Sequence, residues 1–116
     1  VDADGFDCGD AAGDGVAVEA RLLAEDPDDD FAVTPGRLML LSFPIGTGVR
    51  IDANRRVGDT VEADDPLIAV FTAWGPDRTV ALARLRRALV RSAVVIDGGA
   101  TNRTLLLGVL DHETHA

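Results

Sequence analysis

From Val16 to Glu25 the chain alternates with a period of two. Val16, Val18, Ala20, Leu22 and Ala24 fall on one side, and Glu19, Arg21, Leu23 and Glu25 on the other. In an extended strand successive side chains point to opposite faces, so this pattern is that of a strand with one face in a core and one charged face outward. No other feature constrains the fold as strongly: the domain must contain a sheet with a single buried side, and another layer must cover that side.

The rest of the chain supplies that layer. Asp26 to Asp30 is an acidic turn containing Pro27, and Pro35-Gly36 is a second turn. Arg37 to Phe43 reads as a buried strand ended by Pro44. Gly46-Thr47-Gly48 turns into a short strand, Val49 to Asp52. Asn54 to Gly58 is a polar loop, and the nearly apolar Leu67 to Trp74 is a central strand. Gly75-Pro76-Asp77 opens a helix, with Pro expected at the first helical position and Asp near the positive end of the dipole. This helix runs to about Arg91 with Leu82, Leu85 and Leu89 as its apolar stripe. Ala93 to Ile96 is a β-branched strand closed by Gly98-Gly99. Thr101 or Asn102 caps a last helix from Arg103 to about Leu110. The predicted class is α+β: a mostly antiparallel sheet with two helices packed on one side of it. Residues 1–14, rich in Asp, Gly and Ala, read as a flexible acidic linker, and residues 15–116 as the domain. No stretch of about 18 apolar residues occurs, so no membrane helix is expected.

Composition narrows the function. Twenty acidic residues against eleven basic ones give a formal net charge of −9, a field that repels a nucleic-acid backbone. Lysine is absent altogether. The chain therefore offers no side-chain amine for a Schiff base, a phosphate-binding loop of the usual kind, or an amide-linked cofactor. Cys8 is the one cysteine, which excludes an internal disulfide or a multi-cysteine metal site and fits a reducing, cytoplasmic setting. No metal site is expected. Counting from Asp2 and Asp4, the fifth, sixth and twelfth positions of a calcium loop hold Phe6, Asp7 and Gly13, which do not fit. His112-Glu113-Thr114-His115 is one residue short of a zinc-protease pattern.

Two groups of residues stand out. Glu19 and Arg21 share the charged face of the first strand, their Cα atoms roughly 6.5 Å apart. A guanidinium offers a planar fork of donors suited to a carboxylate, a phosphate or a ureido oxygen, and the plain alternative is a surface ion pair. Arg84, Arg87 and Arg91 lie on one face of the first helix with Arg86 beside them, either as a solvated face opposite the leucine stripe or as an anion-binding surface.

Several segments, in order, resemble a known family. Ala17-Val18-Glu19-Ala20-Arg21 with Ala24-Glu25-Asp26-Pro27 is similar to the G-H-A-[IV]-E-x-R-[IL]-x-A-E-D-P opening of the biotin carboxylase C-terminal domain. Pro35-Gly36-Arg37 resembles its P-G-x turn and Gly48-Val49-Arg50-Ile51-Asp52 its G-V-R-x-D strand. Trp74-Gly75-Pro76-Asp77-Arg78 and Ala81 to Leu89 resemble its W-G-x-x-R helix, and Gly98-Gly99-Ala100-Thr101-Asn102 its G-x-x-T-N. The resemblance covers Gly15 to His112. It implies the family's fold, described as barrel-sandwich-type, and a part in the ATP-dependent carboxylation of biotin by bicarbonate. In that reading ATP and Mg are bound by an ATP-grasp domain and biotin is carried on another domain or chain. The partners are that ATP-grasp domain, a biotin carboxyl carrier domain and a carboxyltransferase. The isolated domain is not expected to be active. The Trp-Gly-Pro-Asp-Arg form points to acyl-CoA carboxylases and hence to fatty acid metabolism. Arg21 occupies the position of the arginine that reaches biotin's ureido oxygen, so it is the expected catalytic residue, and Glu19 is expected to orient it against biotin. Three positions depart from the pattern: Val16 replaces the His, Leu23 the Asn, and Val70 the Lys of the family's D-S-M-x-x-K or D-P-M-x-x-K segment, in which Asp64 also replaces the preceding aromatic. These departures leave open a diverged, non-catalytic assembly domain.

Overall fold

The computed structural model describes residues 6–10 and 15–115, with the side chains of residues 15–112. In chain order the elements are β1 (Phe6–Asp10), β2 (Val16–Leu23), β3 (Glu25–Asp26), a 3-10 turn (Pro27–Asp29), β4 (Ala32–Val33), β5 (Gly36–Ser42), β6 (Val49–Asp52), β7 (Thr60–Val61), β8 (Leu67–Gly75), α1 (Arg78–Arg91), β9 (Ala93–Ile96) and α2 (Arg103–His115). Every strand pairing is antiparallel. The strands form a four-stranded sheet in the order β1-β2-β8-β6, a three-stranded sheet β7-β5-β9 and the short pair β3-β4. The architecture is the expected α+β one, with two helices on mostly antiparallel sheets.

The alternation in β2 works as the sequence implies. Val18, Ala20 and Leu22 are buried and sit opposite Ala73, Phe71 and Ala69 of β8, which are buried as well. Helix α1 covers this face, supplying Ala81, Leu82, Leu85, Ala88 and Leu89 to the core. Phe71 is wholly buried at its centre and meets Phe43 edge-on, with ring centroids 5.7 Å apart. Helix α2 packs beside α1 and against β2, burying Leu106 and Leu110. The two helices are further tied at their surface by the Arg86 Nε to Asp111 Oδ1 bond of 2.6 Å.

Four expectations are corrected. Residues 6–10, taken with the linker, form β1 at the edge of the larger sheet, in register from Phe6 opposite Ala20 to Asp10 opposite Val16. Backbone pairing needs no apolar side chains, so a composition of Asp and Gly concealed the strand. β5 is not a buried strand: Leu38 is buried, whereas Met39 and Leu40 are more than two-fifths exposed. Hydropathy measures the tendency to be covered, and α1 lies over the other sheet. Pro76 does not occupy the first helical position. Asp77 is the N-cap, its Oδ1 accepting the Val80 amide at 2.9 Å, so Pro76 precedes the cap. Finally, α2 continues to His115, well beyond Leu110.

Candidate functional site

The outward face of the β1-β2-β8-β6 sheet follows from register. In an antiparallel sheet, directly opposed residues project to the same side. Glu19 lies opposite Thr72 and Arg21 opposite Val70 on one flank of β8. Arg50 lies opposite Thr72 and Asp52 opposite Val70 on the other flank. Two rows therefore cross the sheet, Glu19–Thr72–Arg50 and Arg21–Val70–Asp52. Each places charges of opposite sign on the two strands that flank β8, about 10 Å apart for two inter-strand spacings.

Each flank also pairs along its own strand. Arg21 Nε lies 3.5 Å from Glu19 Oε1, and Arg50 Nε lies 3.0 Å from Asp52 Oδ2. The Arg21 and Glu19 side chains are 47% and 34% exposed. Solvent-exposed pairs of this kind contribute at most about 1 kcal/mol, so the contact orients Arg21 without locking it. One ion pair leaves most of the five guanidinium donors available to a ligand on the open face.

The backbone beneath Arg21 is held much more firmly, by a residue 81 positions away. Asn102 is 1% exposed. Its Nδ2 donates to the Arg21 carbonyl oxygen at 3.0 Å, and its Oδ1 accepts the Leu23 amide at 2.8 Å. Its own amide donates to the Leu23 carbonyl at 3.1 Å. Asn102 thus acts as a one-residue continuation of the sheet, placed where the register with β8 slips between Leu22 and Leu23. The expectation of an Asn102 side-chain cap on α2 is corrected accordingly. The Thr101 hydroxyl accepts the Arg103 amide at 3.3 Å, and the Asn102 amide group is spent on β2. The sequence places Asn102 next to a helix start but carries no sign of the strand it holds.

Beside Val70, on the side away from Arg21, lies a depression of about 230 Å³ bordered by Asp52, Asn54, Arg55 and Asp65. Arg55 builds it. Its Nε donates to the Leu67 carbonyl at 3.0 Å and its Nη2 to the Asp65 carbonyl at 2.7 Å, tying the 54–58 loop to the start of β8. Read from sequence as one more polar loop residue, Arg55 is mostly buried here, its side chain 16% exposed.

The remaining candidates separate. Arg84, Arg87 and Arg91 share one face of α1, whereas Arg86 turns to Asp111 of α2. His112 is exposed near the end of α2, and the side chains of residues 113–115 lie outside the described residues, as do Asp2, Asp4 and the side chain of Cys8. Among the described residues, no three His, Cys, Asp or Glu side chains converge, and no helix is long and apolar enough to cross a membrane.

The family described as the biotin carboxylase C-terminal domain matches residues 19–116. Biotin carboxylase of Nostoc sp. is 43% identical over 81 residues, covering 69% of this chain and 18% of the relative. The mitochondrial methylcrotonoyl-CoA carboxylase subunit alpha of Rattus norvegicus is 41% identical over 100 residues, covering 84% and 14%. Among solved structures, the biotin carboxylase domain of Hydrogenobacter thermophilus 2-oxoglutarate carboxylase superposes with a TM-score of 0.80 at 30% identity, over 84% of this chain and 21% of that one. The chain thus spans only about a fifth or less of these relatives' length. The fold, the order of the motifs and the extent of the match agree: this chain belongs to the biotin carboxylase C-terminal domain family.

Proposed function

We propose that this domain forms one wall of the site at which biotin is carboxylated in a biotin-dependent acyl-CoA carboxylase, with Arg21 as the residue that contacts the reacting group. The observation that carries this reading is the state of Arg21. It stands on the open face of β2, half exposed and loosely tethered to Glu19, over a backbone position fixed by the buried Asn102. A guanidinium held at its base and free at its tip suits an oxygen that gains negative charge during a reaction, because its donors are oriented before the charge appears.

Biotin, carried on a separate domain or chain, supplies the ureido group. Arg21 donates hydrogen bonds toward the ureido oxygen, and Glu19 keeps the fork aimed across the face. ATP, Mg and bicarbonate are handled by an ATP-grasp domain, and the carrier and carboxyltransferase complete the assembly, in a cytoplasmic setting. The methylcrotonoyl-CoA carboxylase relatives are what supports an acyl-CoA enzyme.

A second reading has a specific observation behind it. Val70 is the cross-strand neighbour of Arg21, and the family pattern has lysine there. A missing second cation beside the arginine favours a diverged domain kept for assembly.

One experiment separates the two. In the full-length protein that carries this domain, Arg21→Ala is expected to lower biotin-dependent carboxylation by about 100-fold or more, the scale for removing one preorganised donor, with ATP binding little changed. The stability of the domain itself should shift by less than about 1 kcal/mol, because the lost contact is exposed. Parent-like carboxylation in the variant would reject the catalytic role. A parent without biotin-dependent ATP turnover would support the assembly reading.

A further inference from the structure

Helix α1 carries Arg78, Arg84, Arg86, Arg87 and Arg91 and no acidic residue, in a chain whose net charge is −9. The sequence holds twenty acidic residues, but the arginines of α1 are paired selectively. Arg86 bonds Asp111, and the Arg84 Nη1 donates to the Trp74 carbonyl at 2.8 Å. Arg87 and Arg91 have no ion pair or hydrogen bond among the described residues.

These unpaired cations face a shaped site. Arg84, Arg87 and Arg91 border a cavity of about 110 Å³ between α1 and the loop from Pro44 to Gly46. Three features of its construction bear on what it holds. Arg84 is fixed from below: Gly48 has a positive φ of 75°, and a Cβ there would come within 2.9 Å of the Arg84 Cδ, so glycine leaves the room that this side chain occupies. Val49 and Ala88 give the cavity apolar walls, which weaken screening and strengthen the attraction for an anion. No Asp or Glu is among its lining residues. Positions 84, 87 and 91 are one and two turns apart, so their like charges repel at close range and an anion between them relieves that repulsion. At about 110 Å³ the cavity has room for a compact group and opens to solvent on one side. That suits one tetrahedral oxyanion.

We infer that Arg84, Arg87 and Arg91, closed by the Pro44–Gly46 loop, form a binding site for a phosphoryl-type dianion. The bound group is inorganic phosphate or a terminal phosphate monoester whose remainder extends into solvent past Ile45, the most exposed of the large hydrophobic side chains among the described residues.

The test is a titration of the isotope-labelled 116-residue chain with inorganic phosphate at low ionic strength, followed by amide chemical shifts. A second arm uses glycerol phosphate, and a third uses acetate at equal ionic strength. Saturable shifts confined to residues 44–49 and 84–91 are expected with phosphate. Glycerol phosphate should give comparable shifts if a monoester is the physiological ligand and much weaker ones if free phosphate is. Acetate should give little. The Arg87→Glu/Arg91→Glu variant should bind phosphate about tenfold more weakly or worse, the scale of lost charge-assisted hydrogen bonds. Arg37→Glu/Arg56→Glu, which changes the net charge equally elsewhere, should bind as the parent does. If the first variant does not give a folded amide spectrum, Arg87→Gln/Arg91→Gln replaces it with the same expectation. Non-saturable shifts, an equal response to acetate, or equal weakening in the charge-matched control would each overturn the site.

Discussion

Replacing Asn102 tests whether one buried side chain holds the strand that presents Arg21. Asn102→Ala removes two hydrogen bonds at a position 1% exposed and takes from the Leu23 amide and the Arg21 carbonyl the partner that the Asn102 side chain gives them. A buried group left unsatisfied costs about 1–3 kcal/mol. Both groups are only partly buried, and water can reach them once the side chain is gone, so the lower part of the summed range applies, about 2–4 kcal/mol. Against a total of about 5–15 kcal/mol for a domain, that loss is readily measured by urea unfolding followed by far-UV circular dichroism. Asn102→Asp refines the test. The carboxylate still accepts the Leu23 amide but sets a negative charge against the Arg21 carbonyl oxygen. Lowering the pH protonates it and restores a donor, so its deficit relative to the parent should shrink as pH falls, whereas the Asn102→Ala deficit should not. An alanine variant within about 0.5 kcal/mol of the parent, a difference ordinary for surface sites, or an aspartate variant with a pH-independent deficit, would refute the clamp.

Two further outcomes follow from the packing. Phe71→Ala, at the centre of the core and in edge contact with Phe43, should lose about 3–5 kcal/mol in the same unfolding assay, as large buried aromatics do. Gly48→Ala should cost about 1–2 kcal/mol for a left-handed non-glycine residue plus the displacement of Arg84, so combining it with Arg84→Ala should cost less than the sum of the two single changes; strict additivity would contradict the contact.

The main elements were legible because their signals are local. The alternation of β2, the apolar run of β8 and the leucine stripe of α1 each report a periodic exposure that one stretch of chain carries by itself. Arg21 and Glu19 could be assigned to one face by the same reasoning, and the ordered motifs gave the family. β1 carries no such signal, because pairing along an edge uses only backbone groups, and the hydropathy of β5 does not reveal which layer lies over it. The position of Asp77, one residue after Pro76, decided where α1 begins, through a cap whose geometry cannot be read from composition.

What the chain's own residues determined, then, is a one-sided sheet, a covering helix and the chemical type of the exposed groups, since each depends on neighbours within a turn or a strand. Tertiary structure alone decided the pairings across long separations: Asn102 beneath Arg21, Val70 beside it, Arg50 and Asp52 across β8, and Arg84 over Gly48. The physical reason is that hydrogen-bond partners and strand register are settled by which surfaces meet when the core closes, and a linear pattern holds no record of that meeting.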